Sequence, residues 1–155
     1  MKKTNALEKI ITPMLALVAA ALASPAPAQI DPATGTGVVN GYRIGPKADL
    51  SGVRFSGVNL SRANLTGAEL TQATFHRCNF TGSDLSGADL SGAVFRQCQF
   101  ENANLGRAVT GRLYMLAQER WTYTLFEGCR FRSTDFSGAD LWRADFSGIS
   151  RKVRD

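Results

Sequence analysis

The stretch "TGSDLSGADLSGAVF" (residues 81–95) places Leu85, Leu90 and Phe95 five residues apart, with small and polar residues between them. A helix repeats every 3.6 residues and a strand every two, so a period of five matches neither element alone. From residue 50 to residue 105, Leu or Phe occupies every fifth position, and the pattern resumes at residues 126, 131, 136, 141 and 146. Repetition at a short fixed period predicts a solenoid, in which each unit buries its apolar side against its neighbours.

Each five-residue unit combines a large central residue with a small residue two positions before it, usually Ala, Val, Cys or Ser. Side chains at i and i+2 share one face of an extended segment, so both residues are expected to point inward. The residue between them, mostly Asp, Asn, Thr or Glu, then points outward. Gly is frequent at the last position, where it allows a sharp turn. Five residues therefore predict one short side and one corner, and four units predict a coil of about 20 residues with strands stacked ~4.8 Å apart.

Units such as "ADLSG" (48–52 and 88–92), "ANLTG" (63–67) and "ADLWR" (139–143) resemble the A-(D/N)-L-x-x unit of the pentapeptide-repeat family. The preceding "VVNGYRIGPKADL" resembles the strand that often opens such repeats. The resemblance covers residues 38–149 and implies an all-β fold, a right-handed quadrilateral β-helix of about 4–5 coils with one insertion. It implies little about function, because the family is functionally diverse.

A 20-residue coil predicts which side chains stack on one another. Leu50, Phe55, Leu60 and Leu65 each begin an inner column that continues at 20-residue intervals. If "AVTGR" (108–112) is a degenerate unit and residues 113–123 form an insertion, Phe126 and Phe146 extend the Phe55 column and Cys129 joins Cys78 and Cys98. Thr110 would then be the inward residue of the degenerate unit, with Leu113 and Trp121 as alternatives.

The three cysteines are thus expected to form one buried column. Stacked Cα atoms lie within disulfide range, but parallel side chains in register aim their sulfurs poorly at one another. We therefore interpret the thiols as small buried hydrophobic groups, while a Cys78–Cys98 or Cys98–Cys129 disulfide remains an alternative.

The N-terminus has the layout of a secretory signal peptide. Three Lys in residues 1–9 precede the 14-residue apolar run "IITPMLALVAAALA", which is too short to span a bilayer. Ala26-Pro27-Ala28 fits a cleavage site, Ala21-Leu22-Ala23 is a second candidate, and an uncleaved anchor is the alternative. We predict a signal peptide (1–28), a flexible linker (29–37), a solenoid (38–149, insertion 113–123) and a basic tail (150–155). Without Lys2, Lys3, Lys9 and Glu8, 15 basic and 12 acidic residues remain, a near balance that disfavours nucleic-acid binding.

The sequence contains no recognisable catalytic constellation. The one histidine, His76, is expected on the outer surface between Ser56 and Arg96, with no carboxylate to orient it. Outward ladders such as Asp49, Glu69 and Asp89 are typical of turn-forming, backbone-bonding side chains, although Ca²⁺ binding there is an alternative. We predict no catalytic residues, no cofactor and no metal site.

The insertion interrupts the polar surface with apolar and aromatic residues, including Leu113. It either packs over outward apolar positions, among them Val109, as a satellite core, or presents a binding surface. The candidate partner-binding patch consists of Tyr114, Met115, Leu116, Trp121, Tyr123, Val94, Leu125 and Trp142.

These features predict a non-enzymatic, periplasmic or secreted scaffold or protein-interaction module. Its expected partner is a protein of unknown identity, without nucleic acid or stable membrane insertion after cleavage, and an end-to-end homodimer is one option. The alternative is a topoisomerase-protecting DNA mimic, as in relatives of the family that confer quinolone resistance. A phosphate mimic needs a negative field, whereas arginines including Arg54, Arg96 and Arg130 interrupt the predicted faces.

Overall fold

The computed structural model describes residues 29–115 and 120–149, with no side-chain description at residues 29, 115 and 120. Both signal-peptide cleavage candidates, the basic tail and Leu116 of the candidate patch lie outside the described residues. Within the described part of the chain, no helix has the length and apolar character needed to cross a membrane.

The N-terminal segment folds onto the coil. Strands β1 (Gln29–Ile30), β2 (Gly37–Val39) and β3 (Tyr42–Ile44) form an antiparallel sheet in that order. The Gly35 carbonyl accepts a hydrogen bond from the Asn64 N–H at 2.7 Å. A Cβ at Gly35 would lie 2.6 Å from the Arg62 carbonyl oxygen, so the close approach requires glycine. Of the segment 29–37, interpreted from the sequence as a linker, residues 29–30 pair with β2 and Gly35 packs on the first rungs.

Parallel ladders join successive rungs of the coil at a 20-residue offset. Strands β4 (Arg54–Ser56), β5 (Thr74–His76) and β6 (Val94–Arg96) pair in parallel and in register. Isolated parallel bridges repeat the same offset at three other positions of each period, as in Asp49↔Glu69, Asn59↔Asn79 and Asn64↔Asp84. The backbone groups of one rung are therefore satisfied mainly by the rungs on either side.

The chain leaves the coil after Arg112 and returns at Thr124. Strands β7 (Leu113–Met115) and β8 (Arg120–Thr122) form an antiparallel hairpin, and β9 (Leu125–Glu127) then pairs in parallel with β6. The Phe95↔Phe126 pairing confirms the register predicted from an 11-residue excursion. Thr110 is fully buried and its hydroxyl donates to the Asp140 carbonyl at 2.8 Å. The alternatives at the inward position are wrong, since Leu113 is half-buried and Trp121 is exposed.

The core is a set of stacked side chains along the coil axis. The phenylalanine column consists of Phe55, Phe75, Phe95, Phe126 and Phe146. Adjacent rings from Phe75 onward are stacked at centroid distances of 4.9–5.0 Å. Phe80, Phe100 and Phe131 form a second column that meets the first edge to face. Aromatic pairs in these geometries add to the stabilisation that apolar burial provides.

The cysteines also form the predicted column, and all three are buried free thiols. Each thiol donates to the carbonyl of the phenylalanine one rung before it, at 3.6 Å for Cys78, 3.5 Å for Cys98 and 3.4 Å for Cys129. Contacts of the Cys98 thiol with Cys129 and Cys78, together with burial, raise its pKa. The Cys98 side chain is also fully buried, which keeps it out of reach of reagents in solution.

Candidate interaction surface

The hairpin packs on one corner of the coil, at Ser91 and Gly92. Both residues are buried, whereas the equivalent corner residues of the first rung, Ser51 and Gly52, are exposed. A Cβ at Gly92 would lie 2.8 Å from the Thr122 hydroxyl oxygen and 3.5 Å from the Leu113 Cβ. Gly92 also has a φ of +67°, a conformation that other residues adopt at a cost. Glycine here satisfies both the turn and the close approach of the hairpin.

Beside this corner, two arginines and three aromatic residues form what we call the arginine–aromatic cluster: Arg112, Trp121, Tyr123, Trp142 and Arg143. The Arg112 guanidinium carbon lies 4.1 Å from the Trp121 ring centroid and 5.5 Å from that of Trp142. The Arg143 guanidinium carbon lies 5.0 Å from the Trp142 centroid and 5.5 Å from that of Tyr123. Arg143 also donates a 2.9 Å hydrogen bond to the Tyr123 hydroxyl. Cation–π contacts within ~6 Å are attractive, so each arginine supports the rings that flank it.

The cluster is open to solvent. Trp142 is 49% exposed and Trp121 is 45% exposed. The Tyr114 ring, 42% exposed, extends the aromatic surface by a contact with Trp121 at a centroid distance of 4.9 Å. Val109 is also exposed. The hairpin therefore covers the Ser91–Gly92 corner and leaves Val109 and Trp142 uncovered, so a fully closed satellite core does not form.

The structure divides the predicted patch into parts. Tyr114, Trp121, Tyr123 and Trp142 come together in or beside the cluster. Val94 and Leu125 lie opposite each other on β6 and β9 and are half-buried. Met115 lies on β7, its side chain being outside the described atoms.

Sequence reasoning missed the two arginines. Arg112 and Arg143 occupy the same corner position of their units, two residues after Thr110 and Leu141. Arg112 and Arg143 are 31 residues apart, which is one 20-residue coil plus the 11-residue excursion. The register that aligns Cys98 with Cys129 therefore aligns these two arginines as well. Applying that register to outward residues as well as inward ones would have found them.

The aspartates of the neighbouring units accept hydrogen bonds from backbone N–H groups two residues further along the chain. A carboxylate oxygen of Asp140 accepts the Trp142 N–H at 3.0 Å, and one of Asp145 accepts the Ser147 N–H at 2.8 Å. Within the described residues, the only salt bridge joins Arg96 on β6 to Glu127 on the neighbouring strand β9, at 2.8 Å. Arg112 and Arg143 are thus oriented by aromatic rings, with no carboxylate of the described residues paired to them.

The histidine and the outward aspartates that the sequence singled out contact neighbouring rungs and backbone groups. His76 is half-buried and pairs in register between Ser56 and Arg96. A carboxylate oxygen of Asp49 accepts the Ser51 N–H at 3.0 Å, which lowers the pKa of that carboxyl group. In residues 29–115 and 120–149, no three His, Cys, Asp or Glu side chains are grouped so as to hold a metal ion.

Three solved pentapeptide repeat proteins illustrate the similarity of this chain to known structures. HetL from Nostoc sp. strain PCC 7120, involved in heterocyst differentiation regulation, is 23% identical over 64% of this chain and 60% of its own, with a TM-score of 0.47. A protein from the Arabidopsis thaliana thylakoid lumen is 33% identical over 69% of each chain, with a TM-score of 0.36. QnrB1, a plasmid-mediated fluoroquinolone resistance protein, is 23% identical over 66% of this chain and 60% of its own, with a TM-score of 0.48. A comparison with curated protein sequences finds no significant match.

The chain thus spans about 60% of the length of HetL and of QnrB1. The family model described as pentapeptide repeats matches in 8 copies, over residues 48–87, 75–109 and 121–150. These ranges leave out residues 110–120, which hold most of the hairpin, and contain the five-residue units from which the coil is built. This protein therefore belongs to the pentapeptide repeat family.

Proposed function

We propose that this protein is a non-enzymatic, exported interaction module, which holds a protein partner through the arginine–aromatic cluster. The observation that supports this most is the exposure of Trp121 and Trp142 around ordered arginines. Trp, Tyr and Arg are the residue types that most often dominate binding energy at protein interfaces. A soluble chain gains little from exposing them together unless another molecule covers them.

The coil supplies a rigid base for that surface. The rungs beneath it are joined by parallel backbone ladders and filled by stacked rings. A preformed surface loses little conformational entropy on binding. The hairpin approaches the coil closely at Gly92, so its position is coupled to the rungs below it.

Our proposal includes a right-handed, four-sided coil of about 4–5 turns. Four parallel ladder positions in each 20-residue period support four sides. Export to the periplasm or beyond is supported by the N-terminal charge and apolar pattern of residues 1–28.

An end-to-end homodimer is also part of the proposal. The rings of Phe131, Phe136 and Phe146 are only partly buried, whereas Phe95 and Phe100 in the middle rungs are fully buried. The described C-terminal end of the coil therefore leaves apolar area that a second copy could cover. Sedimentation over a range of concentrations would measure this, and a strictly monomeric protein would refute it.

The outer surface favours this function over DNA mimicry. The ladder of Asp49, Glu69 and Asp89 is interrupted by Val109, and the Asp49 and Asp89 carboxylates each accept a neighbouring backbone N–H. Arg130 stands in the same ladder as Asn79 and Gln99. A continuous negative face of the kind that duplex DNA presents is therefore broken on both ladders.

The proposal is tested by affinity capture from the periplasmic fraction of the producing cell. We expect the wild-type chain to retain a discrete protein that the double variant W121A/W142A loses. The matched control is Val38→Ala, which removes an exposed apolar side chain from β2, away from the cluster. Equal capture by wild type and W121A/W142A, or absence of the chain from the periplasmic and secreted fractions, would contradict the proposal.

A further inference from the structure

We infer that the arginine–aromatic cluster recognises a short acidic segment of a partner protein, one in which carboxylate side chains stand beside apolar side chains. This inference rests on the proposed function and specifies the chemistry of the partner. It follows from the position of the two guanidinium groups, the partners of the carboxylates near them and the exposure of the aromatic surface.

Aromatic rings flank both guanidinium groups. The Arg112 guanidinium carbon lies over the Trp121 ring, and that of Arg143 lies over the Trp142 and Tyr123 rings. A guanidinium carries its N–H donors in a rigid planar fork. Of the Arg143 donors, one is directed to the Tyr123 hydroxyl. The ring contacts therefore hold both guanidinium groups at an exposed site.

No carboxylate of the described residues forms a salt bridge with Arg112 or Arg143. Asp140 and Asp145 accept backbone N–H groups two residues further along the chain. Glu127 pairs with Arg96 on the neighbouring side of the coil. An incoming carboxylate can accept two parallel hydrogen bonds from a guanidinium, the strongest neutralising contact available to it. Charge complementarity thus favours an anionic ligand at Arg112 and Arg143.

The apolar part of the ligand is specified by the surrounding surface. Tyr114, Trp121, Trp142 and Val109 are each 41–49% exposed around the two arginines. A ligand that only supplied charge would leave this apolar area in water. A protein segment that places an aliphatic or aromatic side chain next to a carboxylate satisfies both requirements.

A nucleic acid fits this surface less well. Phosphates follow one another along a nucleic-acid backbone, and each added phosphate must find positive charge. Around the cluster the outward column holds Asp89, Val109 and Asp140 instead of further arginines. An acidic peptide can place its charges at the two guanidiniums and keep neutral residues over the aspartates.

The test uses the full chain and three fluorescent probes: a short peptide alternating aspartate with leucine, the same peptide with asparagine replacing aspartate, and a single-stranded oligonucleotide. Binding is measured by fluorescence anisotropy at two salt concentrations. We expect the acidic peptide to bind the wild-type chain, with a dissociation constant that R112Q and R143Q each raise about tenfold, because each removes charge-assisted hydrogen bonds. R112K and R143K should lose most of the binding as well, since lysine keeps the charge but not the planar stack.

The matched control is R132Q, which removes the same charge from an exposed position in another part of the coil. It should change the dissociation constant by less than about twofold, because distant surface charges are screened by salt. Equal binding of the aspartate and asparagine peptides, no binding of the acidic peptide, or unchanged binding by R112Q/R143Q would overturn the inference. Tighter binding of the oligonucleotide than of the acidic peptide would overturn it too.

Failure of this inference can be distinguished from failure of the proposed function. If W121A/W142A abolishes capture of the cellular partner but R112Q/R143Q captures it like wild type, the interaction surface stands and the acidic ligand is wrong. If neither double variant changes what the chain captures, the proposed function is wrong.

Discussion

Replacing Phe95 with alanine should destabilise the coil strongly, because its ring joins the rungs on both sides. Phe95 is fully buried, and its ring stacks on Phe75 and on Phe126 at centroid distances of 5.0 Å. It also meets the Phe80 and Phe100 rings edge to face at 5.8 and 5.3 Å. The backbone ladders fix the spacing of the rungs, so the cavity left by the ring cannot readily close.

Truncation of a buried phenylalanine to alanine costs about 3–5 kcal/mol, and lost aromatic pairs add about 0.5–1.5 kcal/mol each. We therefore expect the upper part of that range, about 4–5 kcal/mol, for Phe95→Ala. The control is Phe136→Ala in the last described turn, where the ring is only partly buried; its expected cost is about 1–2 kcal/mol.

The assay is urea unfolding followed by far-ultraviolet circular dichroism. With an m value of about 2 kcal/mol/M, Phe95→Ala should lower the unfolding midpoint by about 2 M, and Phe136→Ala by less than half of that. A loss for Phe95→Ala equal to or smaller than the loss for Phe136→Ala would refute the stacked-column reasoning.

Three further predictions concern the thiols, the acidic ladders and the hairpin. All three cysteines, Cys78, Cys98 and Cys129, should resist alkylation in the native protein and react after unfolding, as counted by mass spectrometry; a native disulfide would contradict this. Backbone hydrogen bonds lower the pKa of Asp49 and Asp135 below the ordinary value of an aspartate. Their stabilisation is therefore present above that ordinary pKa and is lost as the pH falls through the lowered one. The free energy of unfolding of D49N/D135N should therefore fall less on acidification than that of the wild-type chain. An equal fall in both proteins would contradict this prediction. Gly92→Ala should lose partner capture while Gly87→Ala retains it. Both glycines have φ values near +66°, but only the Gly92 Cβ would strike the hairpin; equal capture by the two variants would argue against a hairpin held at this corner.

The repeat and its register could be predicted from sequence because they depend on large apolar residues at one fixed spacing. Leu and Phe at every fifth position specify an inward side chain, and the 20-residue recurrence of phenylalanine and cysteine aligns the rungs. The excursion length followed from requiring Phe126 and Cys129 to rejoin their columns together, and the Phe95↔Phe126 pairing confirms that register.

The N-terminal segment could not be predicted in the same way. "DPATGTG" (31–37) reads as a loop, because Pro, Gly and Thr are typical of turns. Its packing depends on tertiary contacts, in particular the Gly35 carbonyl with Asn64 and the strand pairing of Ile30 with Gly37. Such single contacts leave no periodic signal in the sequence.

The candidate surface was predictable in its aromatic residues but not in its arginines. Trp121 and Trp142 break a polar outer pattern, which draws attention to them. Arg112 and Arg143 are ordinary surface residues by type, and only their stacking on the rings distinguishes them from Arg132. That contact depends on how the hairpin folds back at Gly92, which the sequence does not specify.

Site-specific photocrosslinking in the producing cell tests the central claim, that the hairpin and the cluster beside it form a docking surface, most directly. A photoreactive phenylalanine analogue placed at Tyr114, an exposed ring beside the cluster, should capture one discrete protein, and the R112Q/R143Q background should weaken that product. The same analogue at Val38, exposed on β2, should not capture it. Identical products from both positions, or no product from position 114, would contradict a docking surface at the arginine–aromatic cluster.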